Sequence, residues 1–282
     1  MKKLKGLFRL LRFELPFAAG ICTIVGALLA SGSRVEAAIA AAAFASVFLV
    51  SASILVLNDY FDVETDRINA PHRPIPSNLV TPFEALLFSI LLMGGGLGAG
   101  LLISITSFVI CIILAAIGFL YNRYFKKSGL PGNLMVSFSV GMTFVFGGAA
   151  AGDPFGKPVI LFALIAALID LGEEIAADSM DAEGDKLINS ASIAIRRGRA
   201  FAIKLSSYIF FTVIVLTFLP FIFGWFSLFY AIPLGIMDLL IALPLYKLLK
   251  STGEEGRKYI RLIYLGATFG MLVFLIMKLI GI

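Results

Sequence analysis

Nine apolar runs, at about 14–31, 36–57, 82–103, 105–122, 131–150, 157–176, 200–219, 222–246 and 259–280, leave this chain few folds to choose from. Each is long enough to cross a bilayer. Hydrocarbon offers no hydrogen bonds, so a spanning segment must satisfy its own backbone, as an α-helix or as part of a closed barrel. Barrel strands are about ten residues long and alternate apolar with polar positions. These runs are longer and uniformly apolar, which predicts an all-α polytopic membrane protein of nine transmembrane helices. With 60% hydrophobic residues and a mean hydropathy of +0.99, a water-soluble class is excluded. No composition shift divides the chain, so residues 1–282 are expected to form a single integral-membrane domain.

Charge predicts the orientation. Of the 23 Lys and Arg, only Arg34, Lys157 and Lys278 fall on the side of the bundle opposite the N-terminus. Positive charge accumulates on the cytoplasmic side. The N-terminus is therefore expected in the cytoplasm and the C-terminus outside, in a multi-pass protein of the cell membrane. Lys2, Lys3, Lys5, Arg9 and Arg12 form a basic amphipathic segment that runs straight into the first span, with no small-residue cleavage site. The basic excess follows membrane topology, and no nucleic-acid partner is implied. Cys22 and Cys111 lie in apolar runs without metal-ligand spacing, which argues against a disulfide or a zinc site.

The acidic residues are equally uneven. Asp59, Asp62, Glu64 and Asp66 follow the second span; Asp170, Glu173, Glu174, Asp178, Asp181, Glu183 and Asp185 fall within or after the sixth. Both sets follow even-numbered helices and so emerge on one cytoplasmic face. Asn58, Asp62 and Asp66 are spaced i, i+4, i+8 and share a helix stripe, with Asp59 beside it; Asp178, Asp181 and Asp185 at i, i+3, i+7 share another. Stacked carboxylates repel unless something positive binds. Mg²⁺ takes oxygen ligands and is usually held by one or two carboxylates plus substrate phosphates. Two facing stripes predict Mg²⁺ ions with a diphosphate between them, and hence a phosphorylated lipid substrate.

Other residues on that face can be weighed singly. Arg67 and Arg73 flank a proline-stiffened loop, where they either bind phosphate or anchor the loop at the interface. Tyr121 and Lys126 close the fourth span; the lysine either meets a diphosphate or snorkels. His72, the only histidine, reads as a bystander. Thr81-Pro82-Phe83-Glu84 reads as a capping box. Asp238, inside the eighth run, serves either function or a structural hydrogen bond.

In combination, Asn58-x-x-x-Asp62-x-x-x-Asp66, Arg73-Pro74, Tyr121, Lys126 and Asp181-x-x-x-Asp185 resemble the UbiA superfamily of intramembrane prenyltransferases across nearly the whole chain. Within it, the stretch Asp66–Ser77, Lys126-Lys127-x-Gly129-Leu130-x-Gly132-Asn133 and Asp178–Lys186 are most similar to the archaeal digeranylgeranylglyceryl phosphate synthases. One segment departs from that branch: Asn189–Ala194 replaces its Gly-x-x-Thr-Leu-Pro-like sequence.

The resemblance implies helices bundled around a central lipid-accessible cavity with a cytoplasmic polar cap. It implies Mg²⁺-dependent transfer of a geranylgeranyl or other polyprenyl group from its diphosphate to geranylgeranylglyceryl phosphate, a lipid-like acceptor, within the membrane and without an obligate protein partner. Asn58, Asp62, Asp66, Asp181 and Asp185, supported by Asp59 and Asp178, would hold Mg²⁺ and the diphosphate. Lys126 and Arg67 would bind phosphate oxygens, Tyr121 would lie near the reacting carbon, Arg12 matches an arginine the family often has there, and Arg73 would help bind either substrate. Three other readings stay open on the residues: an aromatic-acceptor prenyltransferase of quinone, haem or chlorophyll synthesis, a cation-coupled transporter, and a non-catalytic lipid-binding scaffold.

Overall fold

The computed structural model describes residues 2–32, 35–187, 190–251 and 254–281; the side chains of residues 69, 181–187 and 254 lie outside the description. The described elements are helical. They comprise α1 (Lys2–Leu10), α2 (Glu14–Ser31), α3 (Ala37–Phe61), α4 (Val63–Asn69), α5 (Pro82–Ile103), α6 (Ile105–Leu120), α7 (Leu130–Ala150), α8 (Lys157–Leu187), α9 (Ile193–Arg197), α10 (Arg199–Thr217), α11 (Leu219–Ile222), α12 (Ala231–Leu248) and α13 (Glu254–Ile280).

Among the described residues, eight helical segments are long and apolar enough to cross a membrane. They contain α2, α3, α5, α6, α7, α10, α12 and α13. The ninth long helix, α8, is apolar in its first half and acidic in its second, because Asp170, Glu173, Glu174 and Asp178 enter it. The nine expected runs thus correspond to nine long helices among the described residues, with three local differences. The basic segment before the first span does not run into it: α1 is a separate helix, and the chain turns at Arg12, which adopts φ 44°. The second and sixth helices outlast their apolar runs: α8 carries its acids on helical backbone, whereas α3 carries only Asp59, with Asp62 at its end and Glu64 and Asp66 on α4. The eighth span begins at Leu228, some residues after its predicted start, because Gly224 takes φ 66° and Trp225 N–H bonds back to Pro220 O.

The helices pack in a closed circuit. α5 lies on α3, α3 on α2, α2 on α7, α7 on α8 and α8 on α10, while α12 and α13 pair and α13 returns to α8 and α2. Lipid tails supply no hydrophobic drive for helices to associate, so small residues and polar contacts decide which surfaces meet. Ser46 Oγ donates to Gly96 O at 2.8 Å and Ser53 Oγ to Ser89 O at 2.8 Å, which ties α3 to α5. At the α2–α7 crossing, a Cβ on Gly147 would stand 2.0 Å from Thr23 O and one on Gly26 2.3 Å from Phe144 O. Backbone cannot yield as a side-chain tip can. Gly147→Val is therefore expected to destabilise the bundle by at least the ~1–3 kcal/mol typical of overpacking. Gly98→Val, at a position with nothing within 4 Å, should leave it nearly unchanged. Melting temperatures in detergent compare the two, and equal stability would remove the close crossing from the account.

The circuit encloses a cavity of about 820 Å³. Its walls come from α2, α3, α6, α7, α8, α12 and α13, with Ile54, Leu114, Val140, Met237 and Met271 among its apolar lining. Phe17 of α2 and Leu265 of α13 line it and are exposed, so the cavity is open within the membrane-spanning stretch that these two helices border. This matches the lipid-accessible cavity expected from the sequence.

Candidate active site

The polar end of the cavity is built from two helix ends. α3 carries Asn58 and Asp59 in its last turn, breaks at Asp62 (φ −87°, ψ 0°), and resumes as α4 with Asp66. The bonds from Asp62 N–H to Asn58 O (3.0 Å) and from Asp66 N–H to Asp62 O (2.8 Å) survive the break. The i, i+4, i+8 stripe is therefore kept although the helix is interrupted.

Asp59 and Asp66 are 3% and 6% exposed, and burying a charge is costly unless it is paired. Arg12 pairs with Asp59; Arg73 reaches Asp66 at 2.6 Å and Asp59 at 3.6 Å. Burial works against the Arg73 charge, but the hydrogen bond to Asp66 and the fields of Asp66, Asp59 and Asp62 outweigh it and raise its pKa above the ordinary value. The left-handed backbone of Arg12 is a strained conformation for a residue with a Cβ, and its pairing with buried Asp59 holds it there.

Lys126 pairs with Asp62. A feature the sequence does not advertise brings it there. α6 ends in a π turn, Tyr121–Phe125, closed by Lys126 N–H to Tyr121 O at 2.9 Å. The i→i+5 turn brings Tyr121 and Lys126 towards one face, where α spacing would separate them, and both line the cavity. Turned with its carbonyl towards Lys126, the Asn58 amide accepts from Nζ at 2.9 Å and donates to Asp62 Oδ2 at 3.2 Å. Asn122, the second residue of the same segment, donates to Ile54 O at 3.1 Å and stands 2.8 Å from Asn58.

α8 supplies the facing wall. Asn133 Nδ2 donates to Asp178 Oδ2 at 3.0 Å, and Ser137 Oγ to Asp170 Oδ2 at 2.9 Å. Asp170, Glu173 and Glu174 line the cavity. Glu174 feels the charge of both Asp178 and Lys126, and Tyr121 that of Asp62, Asp178 and Glu174, so the two acidic helix ends converge on the Tyr121–Lys126 turn. The side chains of Asp181 and Asp185 lie outside the described residues; the α8 backbone continues through both positions.

Among the described residues, no three His, Cys, Asp or Glu side chains converge to hold a metal ion by themselves. The donors present are carboxylate and amide oxygens, the set a hard divalent cation takes, and Mg²⁺ needs only one or two protein carboxylates when a substrate phosphate completes its shell. The site thus fits such an ion in company with a diphosphate. Arg12, Asn58, Tyr121 and Lys126 line the cavity; Asp59, Asp66 and Arg73 stand together behind them as an ion-paired group. Arg67 pairs with Glu64 on the exposed face of α4 at 3.0 Å and does not line the cavity. His72 is exposed, and its carbonyl accepts from Arg9. Asp238 accepts from Thr217 at 2.8 Å, joining α12 to α10 away from the cavity lining.

Asn122, Asn133, Ser137 and the pair Glu173–Glu174 had no role on sequence grounds. Their signal was there: polar side chains inside apolar spans are costly and face the bundle interior.

Three comparisons bear on this geometry. Residues 19–277 match the model of the UbiA prenyltransferase family. Digeranylgeranylglyceryl phosphate synthase of Methanocaldococcus jannaschii is 33% identical over 255 residues, which cover 90% of this chain and 89% of that protein. A solved structure of digeranylgeranylglyceryl phosphate synthase is 32% identical over 99% of both chains, with a TM-score of 0.81. A UbiA homologue from Archaeoglobus fulgidus bound to DMAPP and Mg²⁺ is 16% identical and shares the fold, with a TM-score of 0.70 over 95% of this chain and 99% of that one.

Proposed function

Because this chain belongs to the UbiA prenyltransferase family, and is thus an intramembrane prenyltransferase, we propose that it transfers a geranylgeranyl group from its diphosphate to the free hydroxyl of geranylgeranylglyceryl phosphate, with Mg²⁺. The observation that carries this reading is the cavity itself. It is apolar along the bundle, is open within the membrane-spanning stretch, and ends at Arg12, Asn58, Tyr121 and Lys126 beside the carboxylates of α3 and α8. A prenyl tail fits the apolar length and a diphosphate fits the polar end.

Asp62, with Asn58 beside it and Asp66 behind, would hold Mg²⁺ from one side; Asp178, with Asp181 and Asp185 further along α8, would hold it from the other, and Asp59 would support the first set through Arg12 and Arg73. Bound Mg²⁺ would neutralise charge growing on the departing diphosphate. Lys126 supplies a further donor at the same oxygens, and Arg12 lines the same end of the cavity. Tyr121, on the face that the π turn shares with Lys126, stands next to the allylic carbon. The bundle keeps water from the carbon while the carbon–oxygen bond breaks. The acceptor hydroxyl then attacks, forming an ether.

The distribution of Lys and Arg supports a cytoplasmic N-terminus and active site and an external C-terminus. The shared cavity supports residues 1–282 acting as one domain, with prenyl diphosphate, acceptor and membrane lipid as the partners.

With the full chain in lipid nanodiscs, labelled geranylgeranyl diphosphate and geranylgeranylglyceryl phosphate should give a diether phosphate in the presence of Mg²⁺. Chelation should abolish product, and added Mg²⁺ should restore it. Prenylation of a hydroxybenzoate or quinone precursor in place of the glycerol acceptor would overturn the substrate assignment.

A further inference from the structure

Beside the large cavity lies a smaller one of about 380 Å³, between α8 and α13. Glu173, Glu174 and Tyr264 line both, so the two spaces share a wall. Across from the glutamates, α13 contributes Arg257 and Arg261. With Tyr264 they follow i, i+4, i+7 spacing and occupy one helix face. Both arginines are exposed, which puts them at the mouth of the smaller cavity. A guanidinium presents a planar fork of donors that matches phosphate, and two such forks one turn apart make a phosphomonoester site. The shared wall has a second unusual feature. Glu173 Oε1 is buried with no hydrogen-bond partner, a state that in a native fold calls for an explanation. The reaction proposed above leaves one proton unassigned, that of the acceptor hydroxyl.

Resting on that reaction, we propose that the smaller cavity seats the glycerol phosphate head of the acceptor, with Arg257 and Arg261 on its phosphate and Glu173 taking its hydroxyl proton. The atoms balance. The hydroxyl oxygen forms the new bond to C1 of the prenyl group; the bond from C1 to the diphosphate oxygen breaks, and its electron pair leaves with the diphosphate; the hydroxyl proton passes to Glu173. Glu174 lines both cavities as well, but it lies in the fields of Asp170, Asp178 and Lys126, and we assign it to the diphosphate side. Membrane anchoring alone would explain two arginines on this face, but neither the wall shared with the prenyl cavity nor the orphaned oxygen.

The test uses the full chain in nanodiscs with Mg²⁺, labelled geranylgeranyl diphosphate, and two acceptors: geranylgeranylglyceryl phosphate and its phosphate-free alcohol. Arg261→Gln should reduce the preference for the phosphorylated acceptor, as a ratio of kcat/KM values, by at least about tenfold, the effect of one hydrogen bond to a charged group. Arg261→Lys should restore part of it. Glu173→Gln should lower ether formation by about a hundredfold, the lower range for a general base. Prenyl groups that fail to reach the acceptor should be captured slowly by water as the free prenyl alcohol, so that more diphosphate is released per ether formed. Melting temperatures show that the variants are folded, and a folded Glu173→Ala should uncouple in the same way. An unchanged acceptor preference in Arg261→Gln, or a raised KM for the prenyl diphosphate in its place, would sink the headgroup site. Loss of diphosphate release in parallel with ether in folded Glu173 variants would remove the proton-acceptor role. Failure of the wild-type protein itself to alkylate the phosphorylated acceptor would count against the proposed reaction, and is told apart by needing no variant.

Discussion

Asp62→Asn is expected to lower kcat/KM for prenyl transfer by about a thousandfold while leaving the protein folded. Asp62 sits where α3 breaks, accepts from Lys126, and stands 3.2 Å from the Asn58 amide at the polar end of the cavity. Asparagine preserves its shape but removes the charge that would draw Mg²⁺ and orient Lys126. Single electrostatic contacts to charge developing in a transition state are worth about 10²–10³ in kcat, and a bound metal several kcal/mol. Losing part of both gives the larger figure. Diphosphate release measured across a Mg²⁺ titration checks it: the variant should need more Mg²⁺ for half-maximal rate and stay slow at saturation. Activity within threefold of wild type with the same Mg²⁺ dependence would take Asp62 out of the site.

The second large effect is on stability. Arg73→Met should cost about 3 kcal/mol, seen as a lower melting temperature in detergent, because among the described residues it leaves buried Asp66 without a paired cation and Asp59 with Arg12 alone. Breaking a buried pair typically costs 3–5 kcal/mol, and the low end applies because the Arg73 side chain is 33% exposed. The double variant Arg73→Met/Asp66→Asn should recover part of the loss, since it removes the carboxylate left without a cation. A double variant no more stable than the single one would mean that the cost comes from lost packing of the arginine stem in the proline-rich loop.

Much of the architecture was legible in the chain. Asn58, Asp62 and Asp66 were readable as one stripe, because helical spacing is local and the i→i−4 bonds persist across the break at Asp62. The capping box at Thr81 was readable for the same reason: Thr81 Oγ1 accepts from Glu84 N–H at 3.2 Å and Glu84 accepts from Thr81 N–H at 2.9 Å. The division of labour among the basic residues was not legible. Arg67 and Arg73 flank one loop and look alike in sequence, yet one closes a surface pair with Glu64 and the other a buried pair with Asp66. Which way each points depends on the path of the loop between α4 and α5. Glu173 and Glu174 were visible as acids in an apolar span, but their place on a wall between two cavities depends on α13, some eighty residues away in the chain.

The sequence by itself determined the class of fold, the number of long helices and which acidic residues share a helix stripe. Segment hydropathy, loop charge and helical periodicity are local quantities, and the bilayer converts them directly into topology. The tertiary structure alone decided which carboxylates sit behind arginines and which meet Lys126, that a π turn carries Tyr121 and Lys126 to one face, and that α8 and α13 leave a second space beside the first. Each of these follows from how helix surfaces close on one another, at crossings as tight as that of Gly147 on Thr23, and such closure is a property of pairs of distant segments that no single stretch of sequence contains.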